Sequence, residues 1–140
     1  MKKWILGVLA LSITAPSFAQ ELPQPSPTST VQQRIGLTDI TVNYSRPSAN
    51  GRTIFGDLVP YDQLWRTGAN SSTKISFSNS VIIDGKTVDA GEYALFTIPN
   101  KESWTVILSK QTSLWGVSGY DKNEDVLRIG IVPEKSDMDE

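Results

Sequence analysis

The chain has 140 residues, 13 basic and 15 acidic side chains, a formal net charge of −2, and neither cysteine nor histidine. A net-acidic surface speaks against nucleic acid, whose phosphates it would repel, and offers no basic patch to an anionic membrane. The missing cysteines exclude a disulfide framework, a thiol nucleophile and thiolate metal sites; the missing histidines exclude a serine–histidine–aspartate triad and imidazole ligands.

Residues 1–19 read as a secretory signal peptide. Lys2 and Lys3 lead, an apolar stretch runs from Trp4 to Ala15, Pro16 breaks it, and Ser17-Phe18-Ala19 supplies small residues for cleavage. Cleavage near Ala19-Gln20 leaves 121 residues carrying 11 basic and 15 acidic groups, a net charge of −4. That length supports one domain able to bury roughly two thirds of its unfolded surface. No cysteine follows the apolar stretch to take a lipid anchor, and no later run is long enough to cross a bilayer. The expected location is periplasmic or secreted, where a domain without disulfides rests on its hydrophobic core alone.

Residues 20–30 hold three prolines among serines and threonines and predict an extended, partly polyproline-like lead-in. A β domain is expected over residues 31–133. A strand at Val31–Ile35, a bend at Gly36 and a strictly alternating strand at Thr38–Ser45, with Ile40, Val42 and Tyr44 on one face, come first. Thr73–Ser78 alternates again, and Val81–Val88 is a hairpin turned by Asp84-Gly85. Further strands are expected at Glu92–Ile98, Ser103–Ser109 and about Asp125–Val132, with a turn at Pro99–Glu102. The only helical candidate is a short turn near Asp62–Trp65. Seven or eight short strands imply an all-β, antiparallel sandwich, with a barrel as the alternative. Glu134–Glu140 reads as a solvated acidic tail.

The phrases Leu22-Pro23-Gln24-Pro25-Ser26-Pro27, Gly36-Leu37-Thr38-Asp39 and Tyr44-Ser45-Arg46-Pro47 resemble domain-of-unknown-function family 2911, a family of exported bacterial proteins. So do Gly51-Arg52, Phe55-Gly56, Leu58-Val59-Pro60-Tyr61, Trp65-Arg66-Thr67-Gly68-Ala69-Asn70, Ala90-Gly91-Glu92-Tyr93, Leu95-Phe96-Thr97-Ile98-Pro99 and Trp104-Thr105-Val106. The resemblance covers nearly all of the mature chain and implies an exported β domain, with no activity or catalytic residues to carry over. Members of that family usually continue into more β sequence, whereas this chain runs into Lys135–Glu140. It is therefore expected to be a shortened copy with an unpaired sheet edge.

Arg46, Arg52 and Arg66 share one non-repetitive segment, Arg46–Asn70, with Tyr61, Trp65 and Asn70. Guanidinium forks suit carboxylates, phosphates or acidic sugars, and the two rings would serve as stacking walls. Pairing of the same arginines with Asp39, Asp57 or Asp62, as clamps that order a long loop, is the favoured arrangement. Asp57 and Asp62 are also the one candidate acid–base pair. Trp104 is expected to point inward with Val106 and Leu108, and Trp115 to be exposed. Asp121-Lys122-Asn123-Glu124-Asp125 echoes the opening of a calcium loop, but Val126 and Val132 stand where glycine and the closing acid belong, so a polar turn is expected. No catalytic residue, metal or cofactor is assigned. The chain is expected to be an exported, non-catalytic binding or structural module of the bacterial cell envelope, its partner an envelope protein or a small ligand. A binder of an anionic or sugar ligand through Arg46, Arg52, Arg66, Tyr61, Trp65 and Asn70 is the alternative, and a carboxylate-based hydrolase the third.

Overall fold

Alternation decides the architecture. The computed structural model describes residues 23–134, in which eight strands form two antiparallel sheets and no α-helix occurs. The strands are β1 (Thr28–Ile35), β2 (Thr38–Ser45), β3 (Thr73–Phe77), β4 (Val81–Ile83), β5 (Lys86–Val88), β6 (Gly91–Ile98), β7 (Trp104–Ser109) and β8 (Asp125–Ile131). Six of them make one sheet in the order β1-β2-β3-β6-β7-β8, while β4 and β5 form a separate hairpin. The large sheet is open, so the arrangement is sandwich-like and not a barrel. The expected leader at 1–19, and all of the expected acidic tail except Glu134, lie outside the described residues.

Two differences from the expected elements have local causes. β1 starts at Thr28, inside the expected lead-in, because Thr28 pairs with Ser45 and the ladder runs the full length of β2. No helical turn forms at Asp62–Trp65: Asp62 has a φ of 61°, and Trp65 pairs with Thr97 beside β6. The hairpin is as expected, with Asp84 at φ 48° and Gly85 at φ 74°, the left-handed pair that matches strand twist in a two-residue turn.

Successive residues of β6 and β7 face opposite sides of the sheet, and both sides are apolar. Tyr93 and Leu108 join Phe77 and Leu127 on one side, where Val81, Ile83 and Val88 of the hairpin cover them. Ala94, Phe96 and Ile107 lie fully buried on the other side. Their cover is made of loop residues, Leu64, Leu114 and Tyr120. Two loops thus complete the core on that side, so the Arg46–Asn70 segment belongs to the fold and is not an appendage.

Two tyrosine hydroxyls are held inside this framework. Tyr93 donates to the Asp89 carbonyl at 2.9 Å, and Tyr120 to Oδ2 of Asp125 at 2.6 Å. Both titrate above the ordinary tyrosine value, chiefly through burial. The Asp89 charge adds to this at Tyr93; at Tyr120 the bond to Asp125 adds and Arg128 opposes. A pKa raised on folding keeps protons on the native state, so this stability is complete below about pH 10 and is lost as pH rises through the folded values. Thermal melts across the alkaline range should show Tm falling from about pH 10 upward, less steeply in Tyr120→Phe. A Tm that stays level there would remove the hydroxyls from any part in stability.

Candidate functional site

Residues 46–72 contain no regular element, yet main-chain hydrogen bonds tie them down along their length. Arg46 N donates to Pro27 O at 2.9 Å, Asp62 N to Pro99 O at 2.8 Å, and Trp65 and Thr97 exchange bonds of 2.8 and 2.9 Å. Ala69 N reaches Ser45 O at 3.3 Å, and Ser72 N reaches Leu114 O at 3.1 Å. Edge-on aromatic packing adds to this: Phe55 stands 4.8 Å from Trp104 and 5.9 Å from Trp65, centroid to centroid. Such pairs contribute about 0.5–1.5 kcal/mol each beyond their buried area.

The expected arginine–aspartate clamps do not form. Among the described residues, the ion pairs are Arg34–Asp39, Lys74–Glu92 and Arg128–Asp125. Asp39 is held by Arg34, its neighbour across the β1–β2 ladder, at 2.6 Å, and Asp62 accepts from the Asn100 amide at 2.7 Å. Backbone bridges, rings and the bonds of Arg52 to main-chain carbonyls order the segment instead.

The segment borders a half-open cavity of about 680 Å³, within the range of small-molecule sites. Of the six candidate residues, Arg52, Trp65, Arg66 and Asn70 line it. Arg46 is exposed and stands outside it. Tyr61 is also outside: its ring lies so close to Gly56 that a Cβ there would be 2.7 Å from Cε2. Ile54, Leu58, Val59 and Leu64 supply apolar wall, with Gln63 and Ser26 as further polar groups. Neither Asp57 nor Asp62 lines the cavity, nor does any other carboxylate among the described residues. The proposed acid–base pair is therefore not assembled there.

The four lining candidates are not equivalent. Arg52 is committed to its own loop, donating from Nε to Ala49 O at 3.0 Å and from Nη2 to Ser48 O at 2.7 Å. Asn70 donates to Ser26 O at 3.4 Å, closing the chain behind the cavity. Trp65 donates from Nε1 to Gly68 O at 3.2 Å, and its ring is already engaged by Phe55 and Trp104. Arg66 alone is uncommitted: its Nε is buried and has no hydrogen-bond partner among the described residues. Beside it runs the strap formed where Ser71 pairs with Trp115, and Gly116 N donates to Asn70 O at 3.1 Å. A Cβ at Gly116 would stand 3.4 Å from Nη1 of Arg66, and φ there is +67°, so the strap passes the guanidinium at a glycine. A buried donor without an acceptor is unfavourable, by about 1–3 kcal/mol and more when charged.

Thr67, the next residue, has a φ of 55°, an uncommon conformation for a β-branched side chain. It is held in place by Thr73 Oγ1, which donates to Thr67 O at 2.8 Å, and by the Thr97 hydroxyl 3.1 Å from its own.

The remaining candidates resolve as structure. Trp104 shares its face of β7 with Leu108, as expected, but packs on Phe55 and Trp65 and not beneath the hairpin. Trp115 is 70% exposed. In the calcium-like run, Asp121 caps a 3₁₀ turn over Lys122–Glu124, accepting from Asn123 N at 2.9 Å. Asp125 turns away to Tyr120 and Arg128. That last group is one the sequence does not announce. Oδ2 of Asp125 also accepts from Arg128 Nε at 2.7 Å, Arg128 Nη2 donates to the Tyr120 hydroxyl at 2.9 Å, and the Asp125 side chain is only 6% exposed.

The chain belongs to the family described as "Protein of unknown function (DUF2911)", whose model matches residues 26–140. No curated protein and no solved structure matches it.

Proposed function

We propose that the chain is an exported, non-catalytic binding module of the bacterial cell envelope whose loop cavity takes a small anionic ligand at Arg66. The observation that carries this is Arg66, whose side chain has no hydrogen-bond or ion-pair partner among the described residues, in the lining of a cavity that holds no carboxylate there. An anion on the terminal nitrogens of that guanidinium would neutralise a charge that the fold leaves unpaired. A purely scaffolding role for Arg66 is disfavoured because no carboxylate among the described residues partners it. A sugar is disfavoured because Tyr61 lies outside the cavity and Trp65 is packed by other rings. Export rests on the leader-like residues 1–19.

A thermal-shift screen of the mature chain against carboxylates, phosphates, neutral sugars and calcium tests this, with Arg66→Ala and Arg46→Ala alongside. One or more anions should raise Tm by several degrees in the wild type and in Arg46→Ala, with no rise in Arg66→Ala. A response only to neutral sugars or calcium, or an anion response that survives in Arg66→Ala, would overturn the assignment.

A further inference from the structure

The cavity is chemically lopsided, and that asymmetry narrows the ligand. We infer that the site takes a monocarboxylate with an apolar body, its carboxylate on Arg66 and its hydrocarbon against Ile54, Leu58, Val59 and Leu64. This rests on the preceding assignment of the cavity as an anion site.

Charge comes first. Two arginines line the cavity, but Arg52 spends Nε and Nη2 on Ala49 O and Ser48 O. Arg66 is thus the one lining guanidinium without a partner among the described residues, and its two terminal nitrogens suit the paired oxygens of a carboxylate. A phosphate dianion brings more charge than one arginine neutralises. The second cation is already turned into its own loop, and the chain as a whole carries net negative charge. Sites built for phosphate gather several backbone N–H donors at a helix N-terminus or a glycine-rich nest. No helix among the described residues opens onto this cavity, and the main-chain donors of Trp65 and Ala69 in its lining are engaged with Thr97 and Ser45.

The apolar side is equally specific. Val59 is buried, Leu64 is partly buried against the Phe96 cluster, and Leu58 is 53% exposed. An exposed leucine beside a cavity loses unfavourable hydration when a hydrocarbon covers it, at roughly 0.8 kcal/mol for each buried methylene, a three- to four-fold gain in affinity per carbon. A cavity of about 680 Å³ is larger than acetate or inorganic phosphate would fill. A single charged anchor in a mainly hydrocarbon wall is the composition expected for an amphiphilic acid.

Isothermal titration of the mature chain with butanoate, hexanoate, octanoate, octan-1-ol and inorganic phosphate tests the class. Affinity should climb about three-fold or more per added carbon from butanoate to octanoate. Octan-1-ol and phosphate should each bind at least about ten-fold more weakly than octanoate. Arg66→Gln should lose at least about ten-fold in octanoate affinity, and Arg66→Lys, which keeps the charge and loses the fork, should fall between. Leu58→Ser, at an exposed position, should lower octanoate affinity by a larger factor than butanoate affinity. If phosphate or butanoate binds as tightly as octanoate and Arg66→Gln abolishes it, the anion site stands and the amphiphile class falls. If no anion binds, or octan-1-ol matches octanoate, both assignments fall.

Discussion

Phe96→Ala will destabilise the domain by about 3–5 kcal/mol, the largest loss expected from any single side chain. Phe96 is fully buried in the middle of β6, beside Ile107 on β7, with its ring edge-on to Tyr120 at 5.2 Å. The layer above it is built of loop residues and has no second sheet with which to close the gap. Loops tied at both ends to strands cannot sink into a ring-sized void, so most of the cavity term persists. Urea denaturation followed by tryptophan fluorescence measures the loss. Because Leu64 belongs to both the Phe96 cluster and the cavity wall, affinity for the proposed anion should fall with stability. A loss below about 1 kcal/mol would mean that the loop layer is not packed on the sheet.

Arg128→Met will destabilise by about 3 kcal/mol. Methionine keeps much of the length and apolar contact of the arginine stem but leaves Asp125, 6% exposed, without its cation. Asp125 already has one oxygen, Oδ1, buried without a partner, so little remains to stabilise its charge once Arg128 is gone. The Tyr120 hydroxyl would be its one remaining side-chain donor among the described residues. Arg128 is itself 31% exposed, which places the effect at the lower end of the range for broken buried pairs. A double-mutant cycle separates charge from packing. Asp125→Asn combined with Arg128→Met should lose at least about 1 kcal/mol less than the two single losses added together. Strict additivity would mean that the pair contributes no coupling and that the arginine acts by its stem alone.

The strands were legible because their signal is local. Ile40, Val42 and Tyr44 alternate with polar neighbours, and β2 runs over Thr38–Ser45 as the pattern requires. Asp84-Gly85 names its own turn. The Arg46–Asn70 segment was legible as a place, since so many arginines, glycines and rings in one stretch demand a three-dimensional reason. Its contacts were not legible. Which acid an arginine meets depends on where the strands bring it: Asp39 faces Arg34 across a hairpin, and Asp62 meets Asn100 because the loop crosses the β6–β7 turn. Tyr61 and Trp65 look alike as ring donors in sequence, yet one packs against Gly56 while the other reaches the cavity wall. The Tyr120–Asp125–Arg128 group has no periodic spacing to reveal it; its single sequence clue is an aspartate opening a strand three residues before an arginine.

Thr67 gives the cavity a kinetic character. Its left-handed backbone is an unfavourable state of about 1–3 kcal/mol that the sheet imposes through Thr73 and Thr97 when the domain folds. The backbone between the lining residues Arg66 and Gly68 is therefore set by the fold itself, and the acid proposed above would meet it already in place. If the proposed site is correct, association should then proceed at close to the encounter rate for every acid that fits the opening. Discrimination among them would lie in residence time, with poorly matched acids leaving quickly and well-matched ones lingering.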